Sequence, residues 1–93
     1  MKNIKSPYKK EIYERNSVIY RILSNAKRLE ILNTLKGREL TVNTISNALG
    51  IRLSNVSQHL SLLRSHKLVR TKRQGQSIVY SLTDQRRGRF FRP

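Results

Sequence analysis

Ninety-three residues with 20 Lys and Arg against 5 Asp and Glu carry a net charge of +15 at pH 7, the balance of one small basic domain rather than a multidomain enzyme. Hydrophobic residues make up 37% of the chain, enough for a compact helical unit whose stability can draw on dimerisation. The absence of cysteine excludes disulfides, thiolate nucleophiles and thiol redox sensing, and no apolar run exceeds three residues, as in Val18-Ile19-Tyr20, so neither a membrane span nor a signal peptide is expected and the cytoplasm is the expected location.

Residues 1–7 are polar and lysine-rich and end at Pro7, the composition of a flexible basic arm. From Tyr8 the apolar positions Tyr8, Ile12, Ile19, Ile22 and Leu23 recur at helical intervals and predict a first helix over residues 8–23. Ser24-Asn25 offers a cap for a second helix in which Ala26, Leu29, Leu32 and Leu35 keep a helical period up to Gly37. Thr41 can cap a short third helix over residues 42–49, with Ile45 and Leu49 inward, and Gly50 ends it. Leu53, Val56, Leu60 and Leu63 then fall on one face of a fourth helix. Its opposite face carries Ser54, Asn55, Gln58, Ser61 and Ser65, with Ser57 and His59 toward the flanks. Two β-rich runs, 68–72 and 78–82, are joined through residues 73–77, with Gly75 supplying the turn of a hairpin. The end of the chain holds Arg86, Arg87, Arg89 and Arg92 with Gly88 and a terminal proline, and residues 85–93 read as a disordered basic tail beyond a domain spanning 8–84.

Helix, glycine turn, helix with a hydroxyl- and amide-rich face, then a basic-tipped hairpin: this order describes a winged helix-turn-helix, mainly α with a small β-hairpin (α-α-α-α-β-β) and no fifth helix. Acidic residues stop at Glu39 and resume only at Asp84, leaving Arg52, Arg64, Lys67, Arg70, Lys72 and Arg73 without a local counter-charge. Solvated helix surfaces usually carry Glu and Lys, whereas the fourth helix presents short neutral donors and acceptors. Ser54, Asn55, Ser57 and Gln58 are therefore the candidate base contacts in a DNA major groove, Asn and Gln being suited to bidentate pairing with adenine. Arg52, His59, Lys72, Arg73, Gln74 and Gln76 are the candidate backbone or flank contacts.

Leu23-Ser24-Asn25-Ala26-Lys27-Arg28-Leu29-Glu30-Ile31-Leu32, Ala48-Leu49-Gly50, Ser54-Asn55-Val56-Ser57-Gln58-His59-Leu60, Leu63-Arg64 and Leu68-Val69-Arg70 resemble the ArsR/SmtB family of bacterial winged-helix repressors over about residues 18–84. Lys72-Arg73-Gln74-Gly75-Gln76-Ser77 with Tyr80-Ser81-Leu82 looks most like its zinc- and cobalt-sensing branch. The resemblance implies a homodimer that binds a palindromic operator on double-stranded DNA and represses transcription until an inducer weakens binding. With no fifth helix, the first helix is the expected dimer surface, through Tyr8, Ile12 and Ile19.

The departures from that family bear on regulation. Thr41-Val42-Asn43 stands where thiophilic-metal sensors have Cys-x-Cys, and Asn33 stands at the cysteine of the persulfide-sensing branch. Of the zinc branch's Asp-x-His and later His-x-x-His only Asp84 remains, with Arg86 in place of the first histidine. Arg52 stands where the family usually caps the fourth helix with Ser. His59 and His66, seven residues apart on one helix, are too far apart to chelate one ion without a third ligand. No metal, cofactor or enzymatic activity is expected: no His-carboxylate pairing or glycine-rich phosphate loop is present and the acids are scattered. Two other readings stay open at this point, a winged-helix module binding DNA or RNA through charge without sequence preference, and a protein-interaction module for an acidic partner.

Overall fold

The computed structural model describes residues 7–8 and 17–83. Four helices precede a hairpin: α1 Ser17–Leu23, α2 Ala26–Leu35, α3 Val42–Leu49, α4 Leu53–Ser65, β1 Val69–Gln74 and β2 Ser77–Leu82. Of the expected first helix over 8–23, the C-terminal part is helical; Tyr8 stands in a bend, and residues 9–16, Ile12 among them, lie outside the described residues. The expected arm and tail, apart from Pro7, lie outside them as well.

Local chemistry accounts for the helix boundaries. The Asn25 side chain accepts from the Arg28 backbone N–H and opens α2, and the Thr41 hydroxyl accepts from the Thr44 N–H and opens α3. Each side chain satisfies a donor that the first helical turn leaves without a partner. Gly50 ends α3 with φ 65°, a conformation costly to any residue bearing a Cβ, and its N–H returns to the Ser46 carbonyl. The Ser46 hydroxyl donates to the Ile51 carbonyl at 2.5 Å, so the turn between α3 and α4 is held by side chain and backbone together. As the resemblance implies for Arg52, α4 starts without a side-chain cap. It ends with Lys67 at φ 61°, a position usually given to glycine, whose N–H reaches the Arg64 carbonyl at 2.9 Å.

Ile31, Leu32, Leu35, Ile45, Val56, Leu60, Leu63 and Leu68 are fully buried in one core that ties the four helices to the base of the hairpin. Leu53, expected with the inward face of α4, is 44% exposed: it sits in the first turn, where no neighbouring layer reaches over it. In α2 the buried side is shifted from the expected one, with Ala26 exposed and Ile31 at 0% exposure. Leu49 is half-buried and packs against the core.

The hairpin is antiparallel with Val69 opposite Leu82 and Gln74 opposite Ser77. Its first strand therefore runs two residues further than the expected 68–72, leaving the two-residue turn Gly75-Gln76. Gly75 takes φ 61° while Gln76 keeps a negative φ, the pattern of the tight type II′ turn whose twist matches that of paired strands. A third segment joins the sheet: Leu40 and Tyr80 exchange both backbone hydrogen bonds, at 3.0 and 2.7 Å, so the chain entering α3 is fastened to the hairpin.

Two of the three residues expected at a dimer surface are used within the chain itself. Ile19 is 3% exposed and Tyr8 4%. The Tyr8 hydroxyl donates to the Leu68 carbonyl, which ties the start of the chain to the hairpin base, and burial pushes its phenol well above the usual tyrosine range. The apolar stripe of α1 thus faces the chain's own core, because a helix this short places Ile19, Ile22 and Leu23 on one side.

Candidate nucleic-acid interface

The helix-turn-helix formed by α3 and α4 directs one face of α4 into the core and the other outward. Val56, Leu60 and Leu63 anchor the inner face at 0% exposure, which fixes the rotation of the helix about its axis. Ser54, Asn55, Ser57 and Gln58 are all exposed, as are Ser61 and Ser65. At about 100° per residue, Ser54, Gln58, Ser61 and Ser65 share the sector opposite the core, while Asn55 lies to one side of it and Ser57 to the other. The exposed Leu53 adds an apolar group at the same end of the helix.

The flank is more confined. His59 is half-buried, and its imidazole is held below the ordinary histidine value first by that burial, then by the positive charges of Arg28 and Lys27. Arg52 is exposed before the first turn of α4. Arg28 donates from Nη1 to the Ile22 carbonyl at 3.1 Å, closing the end of α1, while its Nε is buried without a hydrogen-bond partner.

The hairpin supplies the charge. Lys72, Arg73, Gln74 and Gln76 are exposed at its tip and outer strand positions. Lys72 and Gln74, two apart in β1 and so on one face of it, converge on a single acid: Lys72 Nζ lies 3.6 Å from Glu39 Oε2, and Gln74 Nε2 donates to Glu39 Oε1 at 3.1 Å. Glu39 is not among the residues that sequence reasoning singles out for the site. The signal that marks it is its place as the last acid before the long acid-free stretch, next to Leu40, which pairs with β2.

Other chemistry finds less support. Among the described residues no group of three or more His, Cys, Asp or Glu could hold a metal ion, and Asp84 lies outside them. No described helix is long and apolar enough to cross a membrane.

A helix-turn-helix with a two-stranded wing defines the winged helix-turn-helix class of DNA-binding folds. The chain belongs to the arsR family of bacterial regulatory proteins, whose pattern it matches over residues 25–71. It is 40% identical over 67 residues to the HTH-type transcriptional regulator KmtR of Mycobacterium tuberculosis, covering 72% of this chain and 52% of that protein. It is 35% identical over 82 residues to the transcriptional activator HlyU of Vibrio cholerae, covering 84% of this chain and 76% of that protein. The structure of reduced HlyU superposes with a TM-score of 0.70 over 82% of this chain and 84% of that one, at 35% identity. The solution structure of the homodimeric winged helix-turn-helix DNA-binding domain of Mb0332 from Mycobacterium bovis, a possible ArsR-family regulator, gives 0.71 over 94% of this chain and 81% of that one, at 30% identity. These relatives are transcription regulators, a non-enzymatic family, in line with the expectation from the scattered acids. The chain spans about half the length of KmtR.

Proposed function

We propose that this chain is a sequence-specific transcriptional repressor that binds a two-fold symmetric DNA operator as a homodimer in the cytoplasm. The observation that carries the proposal is the outer face of α4, exposed and neutral in a chain of net charge +15. Asn55 and Gln58 offer paired donor and acceptor groups to adenine, Ser54 and Ser57 a hydroxyl each, and Leu53 an apolar surface for a thymine methyl. Lys72 and Arg73 meet phosphates, with Gln74, Gln76, Arg52 and His59 contributing at the flanks. Repression follows from occupancy: a small domain seated across a promoter excludes other proteins from the same grooves.

Homodimerisation is supported by the homodimeric Mb0332 domain and by the exposed side of α1, where Tyr20 is 55% exposed. Two copies related by a two-fold axis place two recognition helices about one DNA turn apart. Because Ile19 is buried in its own chain, Tyr20→Glu is the substitution that charges this surface without disturbing the core. Sedimentation should show monomers for this variant and a dimer for the wild type.

No metal switch is proposed. Thr41 and Asn43 stand at the cysteine positions of the thiophilic-metal sensors, and only Asp84 remains of the zinc branch's ligands; titration with zinc or cobalt should leave operator affinity where it was.

The test is binding to the promoter fragment upstream of the protein's own gene against a scrambled duplex and single strands. Gln58→Ala should weaken binding to the promoter site by about 1–3 kcal/mol and barely change binding to the scrambled duplex. Equal losses on both would favour the second reading, a charge-driven module without sequence preference, which the net charge alone would equally support.

A further inference from the structure

A crevice of about 490 Å³ opens between α1, the start of α2 and the C-terminal end of α4, on the side of the molecule defined by Val18 rather than Tyr20. These two residues flank the buried stripe of α1 on opposite sides, so the crevice and the exposed Tyr20 surface are separate. Val18, Ile22 and Leu62 give it apolar wall, and Arg21, Arg28 and His66 give it two permanent cations and an imidazole. No acid lines it. Its volume falls within the roughly 300–1,000 Å³ typical of small-molecule clefts, which pair an apolar lining with a few fixed polar groups.

Arg28 is the fixed polar group. Its guanidinium is tethered through Nη1 to the Ile22 carbonyl, and the Nε donor is buried without an acceptor. A guanidinium carries five donors in a planar fork, suited to bidentate pairing with a carboxylate. Holding one edge of that fork in the protein while it borders a cationic crevice orients the group before any ligand arrives, which lowers the ordering cost of binding.

We infer that this crevice binds a small amphiphilic carboxylate, its anionic end between Arg28 and Arg21 and its short apolar body against Ile22 and Leu62. The site touches the recognition helix directly, since Leu62 lies on α4 and His66 follows its last turn. The positive charge of Arg28 also reaches His59 on the same helix and lowers its proton affinity. A bound carboxylate would neutralise that charge and load the end of α4, and so act as an effector of DNA binding. This consequence rests on the proposed operator binding, whereas the ligand site itself does not.

The two are separated by working first without DNA. Octanoate titrated into the full-length, DNA-free protein should shift the His66 and His59 ring resonances saturably, and octanol should not. Arg21→Gln and Arg28→Gln should each weaken octanoate binding about ten-fold or more, the loss expected for one charge-assisted hydrogen bond. Arg21 is exposed and carries no part of the core, so its variant remains informative if Arg28→Gln fails to fold. Lack of saturation up to about 10 mM octanoate, equal binding of octanol, or unchanged affinity in Arg21→Gln would overturn the site. In a second arm, saturating octanoate should change promoter affinity in the wild type and not in Arg21→Gln. Unchanged promoter affinity in an octanoate-saturated wild type would overturn the coupling, and failure to prefer the promoter at all would overturn the operator reading while leaving the titration result intact.

Discussion

In the proposed operator complex the outer face of α4 and the β1-β2 hairpin take different halves of DNA recognition, and the two are built differently. The helix face is neutral, its side chains exposed and its rotation fixed by three fully buried anchors in Val56, Leu60 and Leu63. The hairpin is basic and thinly anchored: Val69 and Val79 are its buried residues, and two of its outward groups are held by one surface acid, Glu39. Hydrogen-bonded base reading depends on geometry to within fractions of an ångström, whereas attraction to phosphate tolerates displacement because charge acts over about 8–10 Å at physiological salt. On the proposed reading, rigidity is placed where the DNA sequence is to be read, and charge where position matters less.

Both regions depend on one shared folded unit, so a core substitution should have the strongest consequence, on stability. Leu60→Ala removes a fully buried side chain from the layer between α4 and the hairpin base and should cost about 2–5 kcal/mol. Denaturant unfolding followed by far-ultraviolet circular dichroism, which reports the helices, and by tyrosine fluorescence, to which Tyr80 in β2 contributes, should give coincident transitions. Separate midpoints would show that helix and wing are independent units.

Removing charge from the wing is the next test. Arg73→Ala should lower affinity for every duplex to a similar degree and reduce the salt slope by about one, the change expected when one phosphate is no longer neutralised, leaving the preference for promoter over scrambled DNA nearly unchanged. That is the opposite of the pattern for Gln58→Ala. A wing variant that alters preference would mean that the hairpin reads groove shape or base edges as well.

Removing the charge of Glu39 should have a smaller effect. Its pair with Lys72 is solvent-exposed, with 61% of the Lys72 side chain and 43% of the Glu39 side chain accessible, so it contributes little to folding. In the proposed complex its carboxylate would nevertheless compete with DNA phosphate for Lys72. Glu39→Gln keeps an acceptor for Gln74 and removes the charge. Stability should stay within about 0.5 kcal/mol of wild type, while affinity for all duplexes rises and the salt slope steepens by up to about one. A fall in affinity would show instead that Glu39 pre-positions Lys72 for its phosphate.

The parts legible in the sequence are those governed by neighbouring residues. Asn25 and Thr41 as caps, Gly50 as the end of α3, and the inward trio on α4 all act within a turn or two of the chain. The parts that are not legible depend on distant contacts. Leu53 has the spacing of a core residue, but its burial requires a neighbour over the first turn of α4 that the fold does not supply. Ile19 and Tyr8 have the spacing of an apolar face, and periodicity does not say whether such a face meets its own chain or another. The Leu40–Tyr80 bridge and the Gln74–Glu39 hydrogen bond join segments 40 and 35 residues apart. The neutral face of α4 is legible in full because it is a property of one helix alone.

A weaker consequence attaches to His59, at the border between the two regions. Burial, then the charges of Arg28 and Lys27, hold its imidazole below the ordinary value of 6.5. The unfolded chain therefore takes up a proton in a pH range where the folded chain does not. Its contribution to stability is fully present above about pH 6.5 and declines as the pH falls toward the lowered folded-state value. His59→Gln, which cannot titrate, should flatten that part of the stability profile, measured by denaturant unfolding between about pH 5 and 8. The groups facing it are cationic, so a DNA phosphate brought to this flank would act in the opposite direction and raise its proton affinity. Binding to both promoter and scrambled duplex should then strengthen slightly as the pH is lowered through this range, by similar factors, and the dependence should vanish in His59→Gln. A pH dependence confined to the promoter would move His59 from the phosphate flank to the base-reading face of α4.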